Sequence, residues 1–171
     1  VSTPVPPRAN DRATAGIGAP TPGLELITRL DATLSDPIDL GLTPDGHRRV
    51  VPITGGRLHG PRVTGEILSG GADWQIVHPD GWVTVEARYT VRSDSGLPIS
   101  VISRGVRHGP PDVMARLLAG EAPDPSEYRF RTAMTFEVEE RSDLGWLNHV
   151  LAISSAVRDP AAVHIDVYEV T

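Results

Sequence analysis

The sequence predicts an all-β protein, an antiparallel closed β-barrel with one short helix. Three observations carry that expectation. Apolar and polar residues alternate with period two along most of the chain. Turn-forming pairs recur at short intervals, in a chain of 171 residues that holds 17 Gly and 16 Pro. Only one stretch carries helix signals at both ends. Roughly nine short strands without crossover helices exclude a βαβ architecture and leave a sandwich or a barrel. Successive hairpins close naturally into a barrel, which leaves no exposed edge.

Residues 1–22 contain five Pro and no periodic apolar pattern, so a flexible tail or a lid across a cavity mouth is expected there, followed by one barrel domain over 23–171. Leu24, Leu26, Thr28, Leu30, Ala32 and Leu34 then alternate with Glu25, Arg29, Asp31 and Thr33, a strand broken only by Ile27. Further strands are expected at about 47–54, 62–68, 73–78, 82–92, 97–103, 128–140, 146–154 and 162–170. Pro44-Asp45-Gly46, Gly55-Gly56, Gly70-Gly71, Asp80-Gly81, Asp94-Ser95-Gly96 and Asp159-Pro160 separate them. Residues 111–119 read as the helix, with Pro110-Pro111 at its start and Gly120 just past its end.

Composition excludes several chemistries. All 16 basic residues are Arg, so a lysine Schiff base or a phosphate-binding lysine is ruled out. Cysteine is absent, which removes thiolate nucleophiles, disulfides and Cys-based zinc sites. The net charge is −6 and no basic stripe interleaves with aromatics, so nucleic acid is not an expected partner. No apolar run approaches the ~20 residues of a membrane span, and no secretory signal is visible, so cytoplasm is the expected location. The six His are scattered without ligand spacing, and no metal is expected. No nucleophile elbow, zincin, dinucleotide or P-loop motif is present.

The Asp80-Gly81 pair suggests a two-residue hairpin turn. That register sets Gln75 opposite Glu86 and Asp73 opposite Arg88, and it gives Asp73, Gln75, Thr84, Glu86 and Arg88 one shared polar face. A four-residue loop would oppose Asp73 and Glu86, a like-charge pair. The polar face is either a solvated outer wall or the lining of a barrel lumen. Arg129, Arg131, Thr135 and Glu137 likewise share a face of their strand. His164 and Asp166 point the same way near the C-terminus, a spacing with which an acid can orient an imidazole. Arg57-Leu58-His59-Gly60-Pro61 and Arg107-His108-Gly109-Pro110 form two similar loops.

Val51-Pro52-Ile53-Thr54-Gly55-Gly56, Gly70-Gly71-Ala72-Asp73-Trp74-Gln75, Asp80-Gly81, Ala87-Arg88-Tyr89-Thr90, Phe130-Arg131-Thr132, Phe136-Glu137 and Trp146-Leu147-Asn148 follow one another in order. This series resembles a bacterial family known as domain of unknown function 3237, over about residues 24–170. The resemblance implies a compact barrel similar to the lipocalin-like and allene-oxide-cyclase-like barrels, and it favours the lumen reading of the polar face. The expectation that follows is a small-molecule enzyme without a cofactor. It would catalyse a cyclisation, isomerisation or addition–elimination on a carbonyl-bearing or polycyclic substrate, in bacterial specialised metabolism. Glu86 or Asp73 would be the base, and Arg88 and Arg131 would hold a carboxylate or enolate oxygen. Trp74, Gln75, Tyr89, Glu137, Trp146 and Asn148 would line or support the cavity. The alternative is a non-catalytic carrier or sensor that uses the same arginines. The expected partner is a small organic molecule, and a homodimer or another homo-oligomer is left open.

Overall fold

The computed structural model describes residues 18–171. Of the expected N-terminal tail, residues 1–17 lie outside the described residues, and 18–22 are exposed and precede the first strand. The chain then runs through β1 (Leu24–Leu34), β2 (Ile38–Thr43), β3 (Gly46–His59), β4 (Gly65–Ile67), β5 (Gly71–Val77), β6 (Val83–Ser93) and β7 (Pro98–His108). Helix α1 (Pro111–Leu118) follows, then β8 (Arg129–Glu137), β9 (Ala152–Arg158) and β10 (Ala162–Val170). All neighbouring strands are antiparallel. β1 pairs with β10 on one side and with β3 on the other, which closes the sheet into a barrel. β5 and β4 share one position between β3 and β6, and β2 pairs only with the first half of β3.

Local chemistry explains the irregular points. The break in alternation at Ile27 is a β-bulge: Leu26 pairs with Tyr168 and Thr28 with Val167, so Ile27 and Thr28 are both buried. β3 is 14 residues long and pairs with four neighbours, β1, β2, β4 and β5. A Cβ on Gly56, at φ +145°, would stand 2.2 Å from the Asp31 carbonyl oxygen, so β1 and β3 can approach only if this residue is glycine. Helix α1 ends as its sequence suggests: Gly120 has φ +85°, its N–H bonds to the Leu117 carbonyl at 3.2 Å, and that of Glu121 bonds to the Arg116 carbonyl at 2.9 Å. Two elements depart from expectation. β2 is an additional strand, and residues 145–149 form a 3₁₀ turn, so β9 starts only at Ala152. Asn148 holds that turn by bonding through its side chain to both the N–H and the carbonyl of Val138, at 2.9 and 3.0 Å.

Two apolar clusters fill the barrel. One, around Ile27, Leu58, Val91, Ile99, Met134 and Leu147, plugs one end. At the other end α1 lays Val113, Met114 and Leu117 against Val83, Val85, Tyr128 and Phe130. Each such side chain, fully buried, stabilises the fold by about 1.5–3 kcal/mol. A cavity remains between the two plugs.

Candidate functional site

The cavity and its mouth together enclose about 630 Å³ of non-atom space, part of it open to solvent. Its walls are mainly apolar, including Leu34, Ile53, Val85, Ala87, Phe130 and Ile165, and its ionisable side chains are Asp73, Tyr89, Arg107 and Arg158. Arg49 stands behind Gln75 on β3.

The polar residues fall into three groups. The first is a chain: Arg49 Nε donates to Gln75 Oε1 at 2.7 Å, and Gln75 Nε2 donates to Asp73 Oδ2 at 2.5 Å. The other Asp73 oxygen accepts the Glu86 backbone N–H at 3.1 Å. Asp73 is half-buried and lines the cavity, and burial raises the pKa of its carboxyl despite these bonds and the nearby arginines. The second is a row of hydroxyls across three strands, Ser103 to Thr132 to Ser154, each contact 2.7 Å. These hydroxyls satisfy one another.

The third group is the arginines. Arg158 is tied into the β9–β10 turn through the carbonyls of Asp159, Pro160 and Ala162. Arg107 is 1% exposed, and its Nε and Nη2 have no hydrogen-bond partner. Its guanidinium lies 5.6 Å from the centre of the Phe130 ring. Burial, reinforced by the like charge of Arg49, pulls its pKa down to about 10, so it stays cationic at neutral pH. Three guanidiniums thus surround one carboxylate.

The Asp80-Gly81 hairpin overturns the expected register. A two-residue turn of the expected kind needs φ > 0 at Asp80, and Gly81 is the residue that has it, at +82°. Instead Pro79-Asp80-Gly81 form a three-residue loop: Gly81 N–H bonds to the His78 carbonyl at 2.8 Å and His78 N–H to the Trp82 carbonyl at 2.9 Å. The His78 and Trp82 rings stack at 3.6 Å beside it. An odd loop shifts the pairing by one residue, so Asp73 faces Ala87, Trp74 faces Glu86 and Gln75 faces Val85. Asp73 does not face Arg88.

Of the expected catalytic residues, only Asp73 lines the lumen. Glu86 and Arg88 are on the outer wall, where Glu86 pairs with Arg88 at 2.7 Å and with Arg104 at 3.1 Å. Arg131 also points outward and donates to the Phe130 carbonyl at 2.8 Å. Of the expected lining residues, Gln75 and Tyr89 are in place. Trp74 is 39% exposed outside the barrel. Glu137 is exposed beside a shallow outer groove. Trp146 packs against the apolar plug under the Arg62 guanidinium, 3.8 Å from its ring centre, and Asn148 is committed to Val138. His164 is exposed between Asp31 at 2.5 Å and Asp159 at 2.9 Å, whereas Asp166 pairs with Arg29 at 3.1 Å.

Sequence reasoning passed over Arg49, Arg107 and Arg158. One signal marks all three: each is in phase with the apolar residues of its own strand. Arg107 follows Ile99 and Val101 at even spacing, Arg49 precedes Val51 and Ile53, and Arg158 follows Ala152 and Ala156. No group of three or more His, Cys, Asp or Glu among the described residues has metal-binding geometry. No described helix is long and apolar enough to cross a membrane.

These features define a small closed β-barrel with an internal, largely apolar cavity that carries a few ionisable groups. The chain belongs to the family described as protein of unknown function (DUF3237), whose model matches residues 22–170. It is 36% identical over 152 residues to a UPF0311 protein of Rhodopseudomonas palustris, a match spanning 88% of this chain and 99% of the relative. A crystal structure of a conserved protein of unknown function from that organism superposes with a TM-score of 0.84, covering 90% of this chain and 100% of the other at 34% identity. A beta-barrel like protein from Acinetobacter baumannii superposes with a TM-score of 0.79 at 36% identity, over 91% of this chain and 100% of the other. The same fold occurs in an enzyme from Penicillium herquei, with a TM-score of 0.67 at 18% identity over 91% of this chain and 99% of that one.

Proposed function

We propose that the lumen is the active site of an enzyme that moves a proton on a carbonyl-bearing organic substrate without a cofactor, with Asp73 as the acid–base group. Isomerisation, cyclisation and addition–elimination all need such a step. The observation that carries this reading is the placement of Asp73: a lone carboxyl in an apolar cavity, poised by Gln75 and the Glu86 N–H, with its pKa displaced towards neutrality. Its position in a lumen screened from bulk water strengthens each polar contact with a substrate. The occurrence of the fold in an enzyme is consistent with it.

Proton exchange in deuterium oxide tests the reading. Wild type is expected to speed deuterium uptake at the carbon next to the carbonyl in a panel of 1,3-dicarbonyl compounds and hydroxylated aromatic ketones, followed by proton NMR. Asp73→Asn is expected to lower that rate by roughly 10²-fold or more. Binding without exchange would identify a carrier instead, and equal rates for the two proteins would remove Asp73 from the chemistry.

A further inference from the structure

Three buried side-chain polar atoms among the described residues lack any hydrogen-bond partner: Tyr89 Oη, Arg107 Nε and Arg107 Nη2. All belong to residues that line the same cavity. Buried polar groups are ordinarily satisfied, so orphans gathered around one empty space point to what belongs in that space. We infer that the lumen takes an organic anion, a carboxylate or enolate held by Arg107, with a hydrogen-bond-accepting oxygen at Tyr89. This deepens the reading of the lumen as a substrate site and rests on it.

None of the neighbouring polar side chains satisfies Arg107. Asp73 is the carboxylate of the lumen, and its oxygens are engaged by Gln75 and by the Glu86 N–H. Among the described residues, Arg107 has no acidic partner within 4.0 Å. Arg49 is committed to Gln75, and Arg158 to three carbonyls of its own turn. Arg107 is therefore the lumen guanidinium whose buried N–H groups have no partner in the protein, and the surplus of positive charge around it attracts an anion. Apolar walls of Leu34, Ile53, Val85, Ala87 and Ile165 favour an organic body over an inorganic ion. Arg107 pairs with Val83, and Tyr89 lies six residues further along β6, about 20 Å of strand, so the two side chains enter the one cavity from different levels of the barrel. The phenol is kept neutral by burial and so is available as a donor.

Matched probes test this by calorimetry: 6-hydroxy-2-naphthoate, its neutral carboxamide, and 2-naphthoate. Wild type is expected to bind the hydroxy acid at least about tenfold more tightly than the amide, and more tightly than 2-naphthoate. Arg107→Met is expected to abolish the preference for carboxylate while its unliganded melting temperature equals or exceeds that of wild type, because an unpaired buried charge has been removed. Equal binding of acid and amide, a preference that survives Arg107→Met, or no binding of either acid up to about 1 mM would overturn the proposal. The wild-type acid–amide comparison decides it even if Arg107→Met fails to fold. The two readings fail separately. Carboxylate preference without proton exchange removes the catalytic role of Asp73 alone, and exchange on neutral ketones without carboxylate preference removes this proposal alone.

Discussion

Gln75 donates to Asp73 at 2.5 Å while accepting from Arg49 at 2.7 Å, so the amide serves as a relay between a guanidinium and the carboxyl of the cavity. The relay holds the carboxyl in one orientation and opposes the rise in its pKa that burial causes. Substituting Gln75→Leu is therefore expected to raise the Asp73 pKa further. Carbon-detected NMR titration of the side-chain carboxyls would measure it, and an unchanged or lowered pKa would show that the relay does not tune the group.

The same displacement makes stability depend on pH. The folded pKa of Asp73 lies above the unfolded value of 3.8, so the folded state holds its proton more tightly. This contribution favours folding fully below pH 3.8 and is lost as pH rises through the folded pKa. Asp73→Asn is accordingly expected to melt at a higher temperature than wild type at pH 7, with the difference shrinking in acid. Melting curves across that range check it. A variant less stable than wild type at pH 7 would mean that Asp73 contributes net stability as an anion.

On the outer wall the sign reverses. Arg104 and Arg88 hold Glu86 at a pKa of about 2, so its contribution is present above the ordinary carboxylate value of 4.5 and is lost as pH falls towards 2. The pair is solvated, and Glu86→Gln is expected to cost less than about 1 kcal/mol at neutral pH, with no effect on naphthoate binding. Calorimetric titration of the variant tests the second half. A tenfold loss of affinity would place Glu86 in the site after all.

The hydroxyl row inside the barrel predicts a larger cost. Thr132 sits between Ser103 and Ser154, so Thr132→Val leaves two buried hydroxyls facing a methyl group. Urea denaturation is expected to show a loss of about 1–3 kcal/mol. No measurable loss would imply that water already satisfies the row.

The turn that sets the register is also open to test. Gly81 has φ +82°, and a Cβ there would stand 3.3 Å from Met114 Cβ on α1. Gly81→Ala is expected to cost at least about 1 kcal/mol in the same urea experiment, since backbone strain and crowding against the helix add. A neutral or stabilising effect would mean that the loop relaxes to another turn type.

Period-two alternation in β1, β3, β6 and β10, together with the Pro and Gly bounds of α1, made the barrel and its single helix legible in the sequence, because side-chain parity within one strand is a local property. The face shared by Asp73 and Gln75 was legible for the same reason. The partners of that face were not. Whether Asp73 meets Arg88 or Ala87 depends on one residue of loop length, and Pro79 at the start of the turn outweighed the Asp-Gly signal. An odd loop exchanges the entire facing set, which carried Glu86 and Arg88 out to solvent. The arginines near Asp73 come from β3, β7 and β9, strands far apart in sequence, and only closure of the barrel brings their charges around one carboxylate.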